Sequence, residues 1–158
     1  MGERPPAPPV SFPLAVHKAG SEAKTDLRIK ERRSYRFILT FMFKTPEERQ
    51  VVSELVGVSS PFTYRNAAGQ IVRRTHGVTV PVHLTIAAVN AKGAIEDVIT
   101  DKRYETVGRE SFGAESFHRL IDSVALSAGV YRVTIRVLQD VPEFAAVQSG
   151  FHIYTRYL

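Results

Sequence analysis

The chain has 158 residues, of which 44% are hydrophobic, and this is enough for one domain with a substantial core. It has no cysteine, which excludes disulfide stapling and thiolate chemistry, and no apolar run near the roughly 20 residues that a membrane helix needs. Its net charge of +5 is modest and no nucleic-acid-binding motif accompanies it, so nucleic acid is a disfavoured partner.

The chain begins with a Pro-rich stretch at residues 1–9, which we expect to be an extended, poorly ordered leader or linker. Residues 10–158 are expected to form a single domain. The leader has no apolar segment of the kind that signal peptides carry. Our hypothesis is that Met1 is an engineered start and that a secretion or lipoprotein signal precedes this position in the full-length gene.

Alternating apolar residues predict two short strands after the leader. At residues 10–16 the apolar side chains share one face. Pro13 cannot donate a hydrogen bond to a ladder, so this strand is expected at a sheet edge. Residues 25–30 form the second strand, with Leu27 and Ile29 pointing inward.

Residues 34–43 have the strongest strand pattern in the chain. One face is apolar and aromatic throughout, and Ile38 and Met42 make the other face apolar as well. A strand that is apolar on both faces needs cover on both, so we expect it in the middle of a sheet.

A single helix is predicted directly after this strand. Thr45 is a helix-capping residue, Pro46 occupies the first helical position, and Glu48 completes a capping box. Gly57 is the expected end of the helix. The predicted buried stripe, which would also cover Ile38 and Met42, consists of Val51, Val52, Leu55 and Val56.

Residues 59–76 predict a loop and a hairpin, and residues 77–89 a long strand. The same four-residue turn, Asn-Ala-X-Gly, occurs at 66–69 and 90–93, where glycine supplies a positive φ. Pro81 predicts that the long strand begins at a sheet edge. Residues 97–107 are expected to be its hairpin partner or a following strand.

The last third of the chain is also predicted to be mainly strand. Residues 117–126 are compatible with a short helix or a strand, and a strand is favoured at their end. Within residues 126–137, a Ser-Ala-Gly turn at 127–129 opens into strict alternation, and a final strand is expected to include Tyr157. The fold class is therefore mainly β: an antiparallel two-layer β-sandwich, immunoglobulin-like or jelly-roll-like, with one inserted α-helix.

No sequence motif for catalysis, cofactor binding or metal binding is present, and we predict no catalytic, cofactor or metal site. The five histidines lack the spacing of metal ligands. Two of the three carboxylates Glu96, Asp97 and Asp101 could form an acid pair of the glycosidase type, but carboxylates after a hairpin turn are more often simply solvated.

The best candidate for a functional surface lies in the first hairpin region. Aromatic residues and arginine are enriched at the energetic centres of protein interfaces. The chain also has no acidic residue from Leu55 to Ile95, an asymmetry that can steer an acidic or phosphate-bearing partner. Ordinary packing and solvated arginines are the alternative explanation. The predicted protein-binding residues are Phe62, Tyr64, Arg65, Arg73, Arg74 and His76.

Several stretches resemble an uncharacterised domain family of proteobacterial periplasmic proteins and lipoproteins. The resemblance covers most of the chain from about residue 10 and rests on strand and turn signatures. It implies a β-sandwich located in the periplasm, often after a lipid anchor, and some exported proteins of this kind are similar to immunity proteins of contact-dependent (type VI) secretion systems. The stretches are Tyr35–Phe37, Phe41–Lys44, Val80–Ile86, Gly113–Phe117, Leu126–Val133 and Asp140–Glu143.

The expected function is therefore non-enzymatic protein binding in the periplasm, most concretely as an immunity protein that neutralises a toxic effector. Contact with a membrane is expected only through an upstream lipid anchor. One alternative is a carbohydrate- or envelope-binding module in which Tyr64 or Tyr104 stacks on a sugar. A second is a cryptic hydrolase that uses Glu96, Asp97 and Asp101.

Overall fold

The computed structural model describes residues 4–155, so the predictions that concern Met1 and Tyr157 lie outside the described residues. Part of the leader contacts the domain, since the backbone N–H of Arg28 donates to the carbonyl of Pro6 at 2.8 Å. One α-helix, α1 (Pro46–Val56), and one short 3-10 helix, Pro142–Phe144, are present in this range. The strands are β1 (Val10–Pro13), β2 (Glu22–Ile29), β3 (Arg33–Met42), β4 (Phe62–Arg65), β5 (Ile71–Arg74), β6 (Val80–Val89), β7 (Ile95–Thr106), β8 (Ser111–Phe112), β9 (Ser116–Leu126), β10 (Gly129–Val137) and β11 (Ser149–Thr155).

Nine of the eleven named strands form two antiparallel sheets that pack face to face. One has the order β1-β11-β3-β9-β8 and the other the order β2-β10-β6-β7, while β4 and β5 pair only with each other. The core lies between the sheets, where Phe37, Leu39 and Phe41 of one sheet join Leu84 and Val133 of the other in a single buried cluster. The predicted mainly-β sandwich with one helix is confirmed.

The strand with two apolar faces, β3, lies in the centre of the five-stranded sheet, between β11 and β9. Ile38 is 1% exposed, as expected for such a position, whereas Met42 at the end of the strand is 40% exposed. The ambiguous stretch near residue 117 is the strand β9, and a register shift opposite Phe37 and Ile38 explains why its apolar spacing departs from strict alternation.

β6 as a whole lies between β10 and β7, but its first two residues, Val80 and Pro81, pair in register with β7 alone, so the edge predicted from Pro81 holds for the start of the strand. The carbonyl of Pro81 accepts from the N–H of Leu138, which lies just past the end of β10. In an antiparallel strand the N and the C=O of one residue face the same neighbour. The missing N–H of Pro81 therefore faces Leu138, one residue past the last β10–β6 pair at Val137 and Val82, so no bond within that ladder is lost.

The helix begins and ends where its caps predict. The Thr45 hydroxyl accepts from the Glu48 N–H at 3.1 Å, and the Glu48 carboxylate accepts from the N–H of Lys44 at 2.6 Å. Gly57 ends the helix at φ +74°. Val52 and Val56 are buried, but Val51 is 59% exposed, so the buried stripe is narrower than predicted. No helix in residues 4–155 combines the length and apolar character needed to cross a bilayer.

Candidate functional site

The β4–β5 hairpin, which contains five of the six predicted binding residues, belongs to neither layer of the sandwich. Phe62 is 50% exposed, Tyr64 39% and Ile71 70%. Large apolar side chains left in water on an element outside the core do not serve folding, which makes the hairpin a candidate contact surface.

The register of the hairpin divides the predicted residues between its two faces. Phe62 is opposite Arg74, while Thr63 is opposite Arg73 and Arg65 opposite Ile71. Because facing residues share a side and neighbours alternate, one face carries the aromatic pair and Arg74, and the other carries Arg65, Arg73 and Ile71.

On the aromatic face, the rings of Phe62 and Tyr64 lie 5.9 Å apart between centroids. Arg74 lies over the Tyr64 ring at 5.9 Å, and its Nη2 is 3.4 Å from the tyrosine hydroxyl. On the other face, Arg65 donates to the carbonyl of Gly69 at 3.0 Å and closes the turn. His76 lies beyond the hairpin, with Nδ1 3.2 Å from the carbonyl oxygen of Val58.

A cleft of about 460 Å³ lies between α1 and the hairpin. Four arginines from three parts of the chain line it, with Glu54 as the one acidic lining residue. We call this feature the arginine cleft. Its arginines are Arg49 from α1, Arg73 and Arg74 from β5, and Arg109 from the segment before β8.

Aromatic rings hold two of these arginines in place. The Arg49 guanidinium lies 5.7 Å from the centre of Phe112 and 5.9 Å from that of Phe117. The Arg109 guanidinium lies 5.3 Å and 5.4 Å from the same two rings. Phe43 continues the aromatic cluster, 5.1 Å from Phe117. Cation–π contact orients a guanidinium without using its N–H donors, which remain free for a ligand.

The walls of the cleft are joined where three glycines with positive φ, Gly57, Gly77 and Gly108, lie close together. We call this point the glycine junction. The N–H of Gly108 donates to the carbonyl of His76 at 2.9 Å, and the N–H of Arg109 donates to that of Gly57 at 3.0 Å. A Cβ added at Gly77 would lie 2.6 Å from the Val56 carbonyl oxygen. Only glycine allows the three backbones to approach this closely.

Arg119, on β9, hydrogen-bonds to the three chain segments that meet at the glycine junction. It is fully buried, and its guanidinium donates to the carbonyls of Val56 at 2.5 Å, Val78 at 2.9 Å and Thr106 at 3.1 Å. Among the described residues it has no carboxylate partner. Burial lowers the pKa of Arg119 to about 10. The cation is therefore a structural cross-link between the end of α1 and the two sheets.

The alternative sites do not converge on one centre. Glu96, Asp97 and Asp101 are all exposed on β7, and Asp101 pairs with His83. Tyr104, proposed above as a sugar platform, donates its hydroxyl to Asp122 across the two sheets. Burial and this hydrogen bond raise the pKa of Tyr104. The hydroxyl end of the ring is thus engaged within the domain.

Two histidines lie on the outer face of the five-stranded sheet. The Nε2 of His118 is 2.9 Å from the Ser116 hydroxyl and its Nδ1 is 3.1 Å from that of Ser111. Burial lowers the pKa of His118; burial and the nearby His118 lower the pKa of His152. Residues 4–155 contain no group of three or more His, Cys, Asp or Glu side chains placed to hold a metal ion.

Sequence reasoning missed Arg49, Arg109 and Arg119. Arg109 lies three residues before Phe112 and Arg119 two residues after Phe117, but Arg49 has no phenylalanine within five residues, so closeness in sequence to an aromatic residue did not identify the three. Nothing in the sequence indicated that residues so far apart would share two aromatic rings, or that Arg119 would be buried inside an alternating strand.

Comparison with known proteins gives a family for the chain. The family described as "Domain of unknown function (DUF5625)" matches residues 11–155. No curated protein matches. Among solved structures, the chain is similar to the crystal structure of GEBA250068378 from Sulfurospirillum deleyianum, with 22% identity, a TM-score of 0.75, and coverage of 99% of this chain and 100% of that one. At this identity the likeness concerns the fold. Since the family match spans most of the chain, the protein belongs to the family described as a domain of unknown function (DUF5625).

Proposed function

We propose that the protein is a non-enzymatic binding domain that docks on a partner protein through its β4–β5 hairpin. The observation that carries this proposal is the position of the hairpin, which pairs with neither sheet and holds Phe62, Tyr64 and Ile71 in solvent. Aromatic side chains and arginines together are typical of the few residues that supply most of an interface's affinity.

The partner surface that fits this hairpin is acidic. Arg65 and Arg73 are exposed, and no carboxylate of residues 4–155 forms an ion pair with either. The stretch from Leu55 to Ile95 has no acidic residue. Complementary charge speeds encounter and selects the partner, while the apolar side chains supply the buried contact.

The finer form of the proposal is an immunity protein in the periplasm that masks a toxic effector of a type VI secretion system. Its support is the sequence resemblance given above, together with a surface suited to stoichiometric protein binding. Under this proposal the full-length protein reaches the periplasm by an export signal, and a lipid anchor upstream of the domain is its one contact with a membrane.

The test uses the product of a toxin-like gene beside this gene. The two purified proteins are expected to form a 1:1 complex in size-exclusion chromatography and calorimetry. The variant Arg65→Glu/Ile71→Ser removes one cation and one exposed apolar side chain from the same hairpin face. It is expected to weaken the complex by about a hundredfold, the effect of losing two central interface residues.

The matched control is Lys24→Glu/Ala125→Ser, which makes the same kind of changes at exposed positions away from the hairpin. Its complex is expected to keep the affinity of the unaltered protein. Equal affinity of this variant and of Tyr64→Ala, which changes the aromatic face, would show that the hairpin is not the docking surface. Absence of any toxin-like gene beside this one would refute the immunity role, and hits on a glycan array that are lost in Tyr64→Ala would favour the carbohydrate-binding alternative.

A further inference from the structure

We propose that the arginine cleft is a binding site for the phosphate group of a small organic phosphate. This inference goes beyond the protein-docking role of the hairpin and does not depend on it. Its main residues, Arg49 and Arg109, lie outside the hairpin.

The first argument is charge. Four arginines line the cleft against one carboxylate, that of Glu54. No carboxylate among residues 4–155 forms an ion pair with any of the four. Cations gathered in one concave site repel each other, and an anion placed between them relieves that repulsion. A phosphate monoester carries a charge of about −2 near neutral pH and three acceptor oxygens, which suits several donors better than a single carboxylate does.

The second argument is geometry. Arg49 and Arg109 lie within 6 Å of the same two rings, those of Phe112 and Phe117, so both guanidinium groups are held at one place without a protein acceptor. A planar guanidinium binds phosphate through two parallel N–H donors. Prior ordering of the two forks lowers the entropy cost of binding.

The third argument is size. A volume of about 460 Å³ falls within the range of about 300–1,000 Å³ that is usual for small-molecule sites. The cleft is larger than a phosphate ion requires, and Phe62 provides an apolar lining residue opposite the helix. The expected ligand is therefore a phosphate that carries an organic group, and the glycine junction keeps the two walls at a fixed separation.

The experiment is isothermal titration calorimetry at fixed low salt, with phenyl phosphate, inorganic phosphate and citrate as probes. Phenyl phosphate is expected to bind saturably at one site, and inorganic phosphate at the same site more weakly. The variant Arg49→Gln/Arg109→Gln is expected to lower the affinity for phenyl phosphate about tenfold or more, since both charge-assisted contacts are lost. The control Lys24→Gln/Arg136→Gln also removes two positive charges, from exposed positions on β2 and β10 of the four-stranded sheet. It is expected to change the affinity for phenyl phosphate less than about twofold.

A second variant, Arg49→Lys/Arg109→Lys, keeps the charge and removes the planar forks. It is expected to bind phenyl phosphate several-fold more weakly than the unaltered protein. The proposal is overturned if neither phosphate binds saturably, if the control loses as much affinity as the cleft variant, or if citrate binds and the phosphates do not. The hairpin variant Arg65→Glu/Ile71→Ser, whose residues do not line the cleft, should keep phosphate binding, so failure of either proposal is seen separately.

Discussion

The glycine junction gives the most direct test of how this fold forms its cleft. Gly77→Ala places a Cβ at φ +74°, 2.6 Å from the Val56 carbonyl oxygen and closer still to that of Leu55. The left-handed backbone alone costs about 1–2 kcal/mol, and overpacking a rigid backbone contact adds about 1–3 kcal/mol. The free energy of unfolding should fall by about 2–5 kcal/mol in total.

Gly69→Ala is a matched control. Gly69 has nearly the same φ, +77°, but a Cβ there meets no atom within 4 Å. Only the backbone cost of about 1–2 kcal/mol is therefore expected. Urea unfolding followed by circular dichroism measures both values, and a Gly77 variant too unstable to fold counts as the larger loss. Equal losses in the two variants would refute the argument that close backbone approach at the junction requires glycine.

Two further predictions concern buried ionisable groups. Arg119→Met should lower the free energy of unfolding by about 2–4 kcal/mol in urea titrations. Three buried carbonyls lose their donor, at about 1–3 kcal/mol each, and the relieved cost of burying a cation offsets part of this loss. An unchanged or higher free energy of unfolding would contradict the cross-linking role. The folded-state pKa values of His118 and His152 lie below the ordinary 6.5, so the unfolded chain takes up protons first as the pH falls. The contribution of these two histidines to the free energy of unfolding should therefore be fully present above about pH 6.5 and decline below it. The variant His118→Gln/His152→Gln should lose less of its free energy of unfolding between about pH 7.5 and 5.5 than the unaltered protein. An equal loss in this variant would show that other groups cause it.

Much of the fold was predictable because its signals are local. Alternation in residues 34–43 showed a strand buried on both faces, and the structure places β3 in the middle of a sheet. Thr45, Pro46 and Gly57 fixed the limits of α1, since capping depends on hydrogen bonds within one turn. The twin turns formed identically, because Asn66 and Asn90 each accept two backbone N–H bonds within their own loop.

The errors came from features that depend on a neighbour. Pro81 correctly indicated an edge at the start of β6, but it could not show that the rest of the strand is interior, because that depends on where β10 pairs and ends. Val51 was wrongly expected to be buried. The pattern of the helix gives the direction of its apolar stripe, but it does not show how far the adjacent sheet extends to cover that stripe. The six predicted binding residues were treated as one surface, but His76 lies beyond the hairpin and the register separates Arg65 and Arg73 from the aromatic pair.

The sequence by itself determined that this protein is an antiparallel β-sandwich with one capped helix and an acid-free hairpin, because side-chain period and turn chemistry act over a few residues. Only the tertiary structure decided that Arg49 and Arg109 share one aromatic cluster beside that hairpin, and that a buried Arg119 connects the walls of the cleft. The physical reason is that these contacts join segments far apart in the chain. Their formation depends on how the two sheets and the helix close around one core.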